Sequence, residues 1–238
     1  MRYFGGKQRI AGSLAYYMNQ LIKQHGHEAF VDLFCGSCNI LTNIKCNTRV
    51  GNDIHPSLIA MWQAVQAGWI PPDKVSREEY NVQKAKKEVS PLDAFIGFGC
   101  SFGGKYWGGY ANSDNFRNYA SNAKNSTLQK LSYLQDVTFI NLPYSEVILT
   151  VNSLIYCDIP YKDTKEYAGT PRFDHAAFYT WLKANTDKDI IVSEYDYNVP
   201  AGAKVIHSIR SKQDMNSSNG KIATQEVLFT FSTNLQEM

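Results

Sequence analysis

The chain has 238 residues, 44% hydrophobic and 19% charged, with 24 basic against 22 acidic side chains and a formal net charge of +2. This composition excludes a disordered polyelectrolyte, and no apolar run approaches the roughly 20 residues a membrane-spanning helix needs. So small a net charge identifies no nucleic-acid partner, which must be read from local patches instead.

The first stretch, Arg2-Tyr3-Phe4-Gly5-Gly6-Lys7, precedes Ile10, Leu14, Tyr17, Met18, Leu21 and Ile22 at helical spacing. It predicts a loop feeding an amphipathic helix over residues 7–24. The glycines either let backbone approach a polar ligand closely or give a flexible start to a surface helix. Ala29-Phe30-Val31-Asp32-Leu33-Phe34 reads as a short strand that breaks into Cys35-Gly36-Ser37-Cys38-Asn39, with a helix beginning near Ile40. One glycine in that turn falls short of the dinucleotide fingerprint G-x-G-x-x-G. Cys35 and Cys38 have C-x-x-C spacing but no second pair follows, so turn packing is favoured over zinc.

Thr48-Arg49-Val50-Gly51-Asn52-Asp53 is a second strand ending in an acid roughly 20 residues beyond the turn, where a carboxylate can accept hydrogen bonds from ribose hydroxyls. The alternative for Asp53 is a helix N-cap or turn acid, since His55-Pro56-Ser57 opens a helix with Leu58, Ile59, Trp62 and Val65 on one face. After Ile70-Pro71-Pro72, Ser76-Arg77-Glu78-Glu79 forms a capping box ahead of a solvated helix to Glu88.

Between Gly97 and Asn112, six glycines interleave with five aromatics and Lys105, a composition unlike a regular helix or strand. It suits either nucleic-acid contact, through stacking faces and a phosphate-binding lysine, or an irregular seam filled by aromatics. Arg117, Lys124 and Lys130 give the following helix a modest basic face.

The strand pattern resumes at Val137-Thr138-Phe139-Ile140-Asn141 and again at Ser153-Leu154-Ile155-Tyr156-Cys157, which ends abruptly in Asp158-Ile159-Pro160-Tyr161. An acid, a proline and an aromatic at the carboxyl end of a buried strand deliver polar chemistry to a crevice. A helix within residues 165–185, a strand from Asp189 to Tyr195 and an antiparallel pair, Lys204 to Arg210 with Gln225 to Ser232, complete the chain. The elements predict an α/β protein: a mostly parallel doubly wound sheet finished by an antiparallel hairpin. Residues 1–68 and 135–238 form the main domain, with a mainly helical lobe inserted at 69–134. The amino-terminal residues lack a signal-peptide pattern, and five cysteines, an odd number, suit reduced thiols, so a cytoplasmic protein is expected.

Taken together, these motifs resemble the Dam-like family of DNA adenine-N6 methyltransferases, of phage and prophage type, over nearly the whole chain and in the family's order. Asp158-Ile159-Pro160-Tyr161 stands where the family carries Asp-Pro-Pro-Tyr. The resemblance implies a Rossmann-like methyltransferase fold, S-adenosylmethionine as methyl donor, no metal, and double-stranded DNA as partner. It implies cofactor binding by Tyr3, Phe4, Lys7, Asp32, Phe34, Gly36, Asp53 and Asp158, and catalysis by Asp158, Ile159, Pro160 and Tyr161. The lobe containing Phe98 to Tyr110 would be the target-recognition region. DNA contacts are expected from Lys105, Tyr106, Trp107 and Arg117, with Arg210 and Lys212 beside the hairpin. Two other readings stay open: methylation of a different amino group (cytosine in DNA, adenine in RNA, a glutamine side chain), and a catalytically weak or silent DNA-binding relative, which Ile159 in place of proline keeps alive.

Overall fold

The computed structural model describes residues 3–112, 118–162, 170–210 and 225–235. Seven strands, β1 Ala29–Asp32, β2 Thr48–Asn52, β3 Val137–Ile140, β4 Ser153–Cys157, β5 Asp189–Tyr195, β6 Lys204–Arg210 and β7 Gln225–Thr230, form one sheet in the order β3-β2-β1-β4-β5-β7-β6. The first five run parallel, and β7 pairs antiparallel with both β5 and β6. The strand order turns back between β1 and β4, which opens a crevice at the carboxyl ends of those two strands. Asp32 closes β1, opposite Tyr156 of β4.

The alternation of side chains along a strand assigns the two faces. On one face Phe30, Leu154, Tyr156, Ile191 and Leu228 join a core with helices α1 (Ala11–His25) and α2 (Pro56–Gln66). On the other, Val31, Ile155, Cys157, Ile190, Val192 and Phe229 pack with Phe178 and Leu182 of a helix at His175–Ala184. Both faces are covered, as the near-continuous apolar runs of parallel strands require. The first helix starts at Ala11 rather than residue 7, which leaves Lys7 in the preceding turn, and it ends on Gly26 in the left-handed conformation.

The helix expected from Ile40 does not form. Between β1 and β2 there is a single 3-10 turn, Leu41–Asn43. Cys38 sits at φ 57°, and the side chains of Thr42 and Asn43 both donate to the Asn39 carbonyl oxygen, a competition that short polar side chains win against helix. Leu41 and Ile44 instead pack into the core beside α1.

The region inserted between α2 and β3 carries a helix at Arg77–Lys86 with the expected capping box between Ser76 and Glu79. A short helix at Pro91–Ala94 continues into a π-helical turn at Phe95–Gly99. A long helix, Tyr119–Leu134, follows. Tyr80, Phe95 and Phe98 are buried in the same core as Leu14 and Leu58. Gly97 is there for space: a Cβ would lie 2.6 Å from the Tyr106 ring.

No helix among the described residues is long and apolar enough to cross a membrane. All five cysteines are free thiols.

Candidate active site

The crevice is built on three chain reversals. The first is the turn after β1. Gly36 has φ 46°, and its missing side chain admits the ring of Tyr3, which lies 3.1 Å from where a Cβ would stand. Trp62 of α2 donates to the Gly36 carbonyl oxygen at 3.0 Å, so the turn is held from beneath. Asp53 holds it from the side. Its carboxylate accepts from the Gly36 N–H at 3.0 Å and the His55 N–H at 2.9 Å. Asp53 therefore acts as a turn acid ahead of α2, whose N-cap is His55, and also lines the crevice. Burial pushes its pKa up to about 6 against those two N–H groups, which favour the charged form.

Lys130 closes the turn from the inserted region. Its ammonium donates to the Ser37 carbonyl oxygen and, at 2.6 Å, to Asn39 Oδ1. It does not belong to a solvent-facing basic surface, and burial lowers its pKa. Only the tertiary position of the Tyr119–Leu134 helix reveals this contact, so the sequence carried no signal for it.

The second reversal is the amino-terminal loop. Gly5, Gly6 and Lys7 line the crevice with Tyr3. Phe4 does not line it: its ring meets the Lys105 ammonium at 4.7 Å and its N–H donates to Gly104.

The third is the loop after β4. Asp158 and Pro160 face the crevice, while Ile159 turns the other way, 2% exposed, into the core with Leu33, Val147 and Phe178. His175 hydrogen-bonds the Pro160 carbonyl oxygen at 2.8 Å, and the buried Glu194 accepts the Lys162 N–H at 3.2 Å. These two groups, which sequence reasoning passed over, fix the loop from the helix His175–Ala184 and from β5.

Lys7 joins the loops. Its ammonium lies 2.8 Å from Asp158 Oδ1 and 3.1 Å from Glu226 Oε1, hydrogen-bonds the Tyr161 hydroxyl, and sits 4.2 Å from the centre of the Tyr161 ring. Burial works to lower the Lys7 pKa, but the carboxylates of Asp158 and Glu226 outweigh it and hold the ammonium above its ordinary value. Burial raises the Asp158 pKa to about 6, although Lys7 pulls it down. Asp32, fully enclosed and close to Asp158, is pushed well above the carboxylate range. Its carboxylate accepts the Phe34 N–H at 3.2 Å and shapes the turn. Phe34 stands between crevice and core, edge-on to Phe173 and Phe178.

The residues proposed for DNA divide. Lys105 is exposed. Tyr106 and Trp107 turn inward: the Tyr106 hydroxyl donates to Asp93 at 2.6 Å, and Trp107 meets Tyr80 edge-on. Lys124 pairs with Asp73 at 2.7 Å. Arg117, Lys212 and the side chain of Arg210 lie outside the described residues.

The arrangement offers a glycine cradle with a carboxylate on one side, and on the other the half-buried carboxylate of Asp158 beside an aromatic ring. Among the described residues no three His, Cys, Asp or Glu side chains come together as a metal site.

Residues 3–96 match the family of D12 class N6 adenine-specific DNA methyltransferases. A curated relative, modification methylase StsI of Streptococcus sanguinis, is 25% identical over 228 residues, covering 83% of this chain and 33% of StsI. The chain thus spans about a third of that relative's length. The crystal structure of SMU.472 complexed with SAH aligns over 95% of this chain and 54% of its own, with 12% identity and a TM-score of 0.35, a likeness too slight to bear on function. Residues 3–96 are thus similar to D12 class N6 adenine-specific DNA methyltransferases, and most of the chain is similar to part of one modification methylase.

Proposed function

We propose that the protein transfers a methyl group from S-adenosylmethionine to the N6 amino group of an adenine in double-stranded DNA. The observation that carries this reading is that Asp158 and the Gly36 turn line one crevice at the strand-order switch, with Tyr161 joined to it through Lys7.

The cradle suits the methyl donor. A Cβ at Gly6 would lie 3.1 Å from the Tyr3 carbonyl oxygen and one at Gly36 3.1 Å from the Tyr3 ring, so the two glycines let the amino-terminal loop and the turn after β1 close on each other with their backbones along the crevice. Tyr3, Lys7, Asp32, Phe34, Gly36, Asp53 and Asp158 would hold it, with Asp53 on the ribose and Phe4 supporting the loop. When bound, it supplies an electrophilic methyl on a sulfonium, a good leaving group.

An exocyclic amino group is a poor nucleophile because its lone pair is delocalised into the ring. Asp158 and the carbonyl oxygen of Ile159 each accept one N–H, drawing the nitrogen toward tetrahedral geometry and aiming its lone pair at the methyl. Asp158 orients the amino group and stabilises the positive charge that develops there. The base must leave the duplex to reach it, at a cost of a few kcal/mol. Tyr161, followed by Tyr195 edge-on at 4.6 Å, offers a stacking face against that cost, worth about 1–3 kcal/mol per base. Pro160 narrows the loop between them.

Ile159 does not argue for a silent relative, because its side chain is buried away from the crevice and only its backbone faces the chemistry in this scheme. Lys105, with Arg117, Arg210 and Lys212, would neutralise phosphates, while Tyr106 and Trp107 shape the loop of the target-recognition lobe, residues 69–134. Incubation of duplex DNA with the protein and tritiated-methyl S-adenosylmethionine tests the proposal: label in the DNA supports it, and none refutes it.

A further inference from the structure

Resting on that reading of the crevice, we propose that Glu226 is a positioning residue for methyl transfer: it receives the Lys7 ammonium when the target amino group takes Lys7's place on Asp158.

The carboxylate that accepts the substrate's N–H is already engaged, since Lys7 lies 2.8 Å from Asp158 Oδ1. Substrate and lysine compete for the same carboxylate. Lys7 cannot simply withdraw, because it is only 8% exposed and an ammonium stripped of its counter-charge in such a place is costly. Glu226 removes that obstacle. Its Oε1 is 3.1 Å from Lys7, so the ammonium stays paired with a carboxylate when it releases Asp158.

The same oxygen also accepts from the Tyr161 hydroxyl at 2.9 Å and from Ser193 Oγ at 3.1 Å. Glu226 therefore fixes the Tyr161 ring, and the lysine that it receives stays against the face or edge of that ring. The residue is an acid, 8% exposed, next to the buried apolar run Val227-Leu228-Phe229, and its register partner on β5 is Tyr195. Nothing in strand packing calls for a carboxylate there.

The electrostatics give a readout that a merely structural role would not move. The groups around Asp158 are Lys7 from the amino-terminal loop, Asp32 on β1, Tyr156 and Cys157 on β4, Tyr161, Tyr195 on β5, and Glu226 on β7. Among them Lys7 lowers the Asp158 pKa and Glu226 raises it. In Glu226→Gln the opposing charge is gone and Lys7 serves Asp158 alone, so the Asp158 midpoint falls.

Two measurements decide the matter. The first follows Asp158 by carbon-13 NMR of labelled aspartates, assigned with Asp158→Asn, in the free protein between about pH 4 and 8, the span in which shifted carboxyls titrate. The midpoint is expected to be lower in Glu226→Gln than in the natural protein, and an unchanged midpoint overturns the inference. The second is single-turnover methyl transfer, where Glu226→Gln should lose about tenfold to a hundredfold in rate while affinity for S-adenosylmethionine holds within about threefold. A rate within about twofold of the natural protein overturns it.

Glu226→Asp keeps the charge with a shorter reach and should restore the midpoint and part of the rate. If Glu226→Gln does not fold, Glu226→Asp carries the test, and an undiminished rate again overturns the inference. Failure of the natural protein to transfer methyl refutes the proposed function instead, and the midpoint then decides by itself whether Glu226 shares the ammonium.

Discussion

The ring of Tyr3 lies across Gly36 so closely that a Cβ at residue 36 would stand 3.1 Å from its Cε1. Residue 36 also has φ 46°, a left-handed conformation that costs a side chain about 1–2 kcal/mol. Gly36→Ala should therefore weaken S-adenosylmethionine binding at least about tenfold, because the turn or the Tyr3 ring packed against it must shift by a few tenths of an ångström. Calorimetric titration checks this, and an unchanged affinity would show that the turn does not form the donor site.

Ile159 is a stability position. Its side chain is buried with Phe178 and Leu182, so Ile159→Ala should destabilise the protein by about 2–4 kcal/mol, as large-to-small core changes do. Well below its melting temperature the variant should transfer methyl within about threefold of the natural rate. Chemical denaturation measures the first effect and single-turnover transfer the second.

Much of the frame was legible because it rests on short-range pattern. Strands such as Ser153–Cys157 and Asp189–Tyr195 are apolar runs cut off by polar residues, and the capping box at Ser76 and Glu79 declares a helix start. The turn at Gly36, Asp53 and the Asp158 loop were likewise readable from strand ends. What escaped depends on side chains meeting from distant parts of the chain. Asn39 held Leu41–Asn43 out of a full helix through hydrogen bonds that propensity alone understates. Tyr106 and Trp107 look like stacking faces in sequence, yet the buried Asp93 and Tyr80 claim them. Glu226 and Lys130 carry no local motif, and only the sheet order and the packing of the inserted region bring them to Lys7 and to the turn after β1.

Lys130 offers a way to separate donor binding from DNA binding. Lys130→Met removes the charged hydrogen bonds to the Ser37 carbonyl oxygen and Asn39, each of a kind worth about 1.5–3 kcal/mol. Affinity for S-adenosylmethionine should fall about tenfold. Affinity for duplex DNA and its salt dependence should stay unchanged, because the ammonium faces the turn. A reduced salt slope in fluorescence anisotropy would instead return Lys130 to the DNA surface.

The pH dependence follows from Asp158. Burial lifts its pKa from 3.8 to about 6, so the carboxylate is protonated below that point and loses acceptor capacity. Transfer at subsaturating substrate should rise with pH through about 6 and level off above it, since that regime reports the free enzyme. The same shift implies that ionising Asp158 costs folding free energy: stability attributable to this group is greatest below its unfolded value and declines between about pH 4 and 6. A profile flat from about pH 5 to 8 would exclude Asp158 as the ionising group.

The central claim is that Asp158 directs methyl transfer to the N6 amino group of adenine. Mass spectrometry of nucleosides from duplex DNA, incubated with S-adenosylmethionine and either the natural protein or Asp158→Ala, tests it most directly. N6-methyladenine is expected with the natural protein and a loss of at least about a thousandfold with Asp158→Ala, whose donor affinity stays close to natural. Methylated cytosine in place of N6-methyladenine, or N6-methyladenine at an undiminished level with Asp158→Ala, would contradict the account.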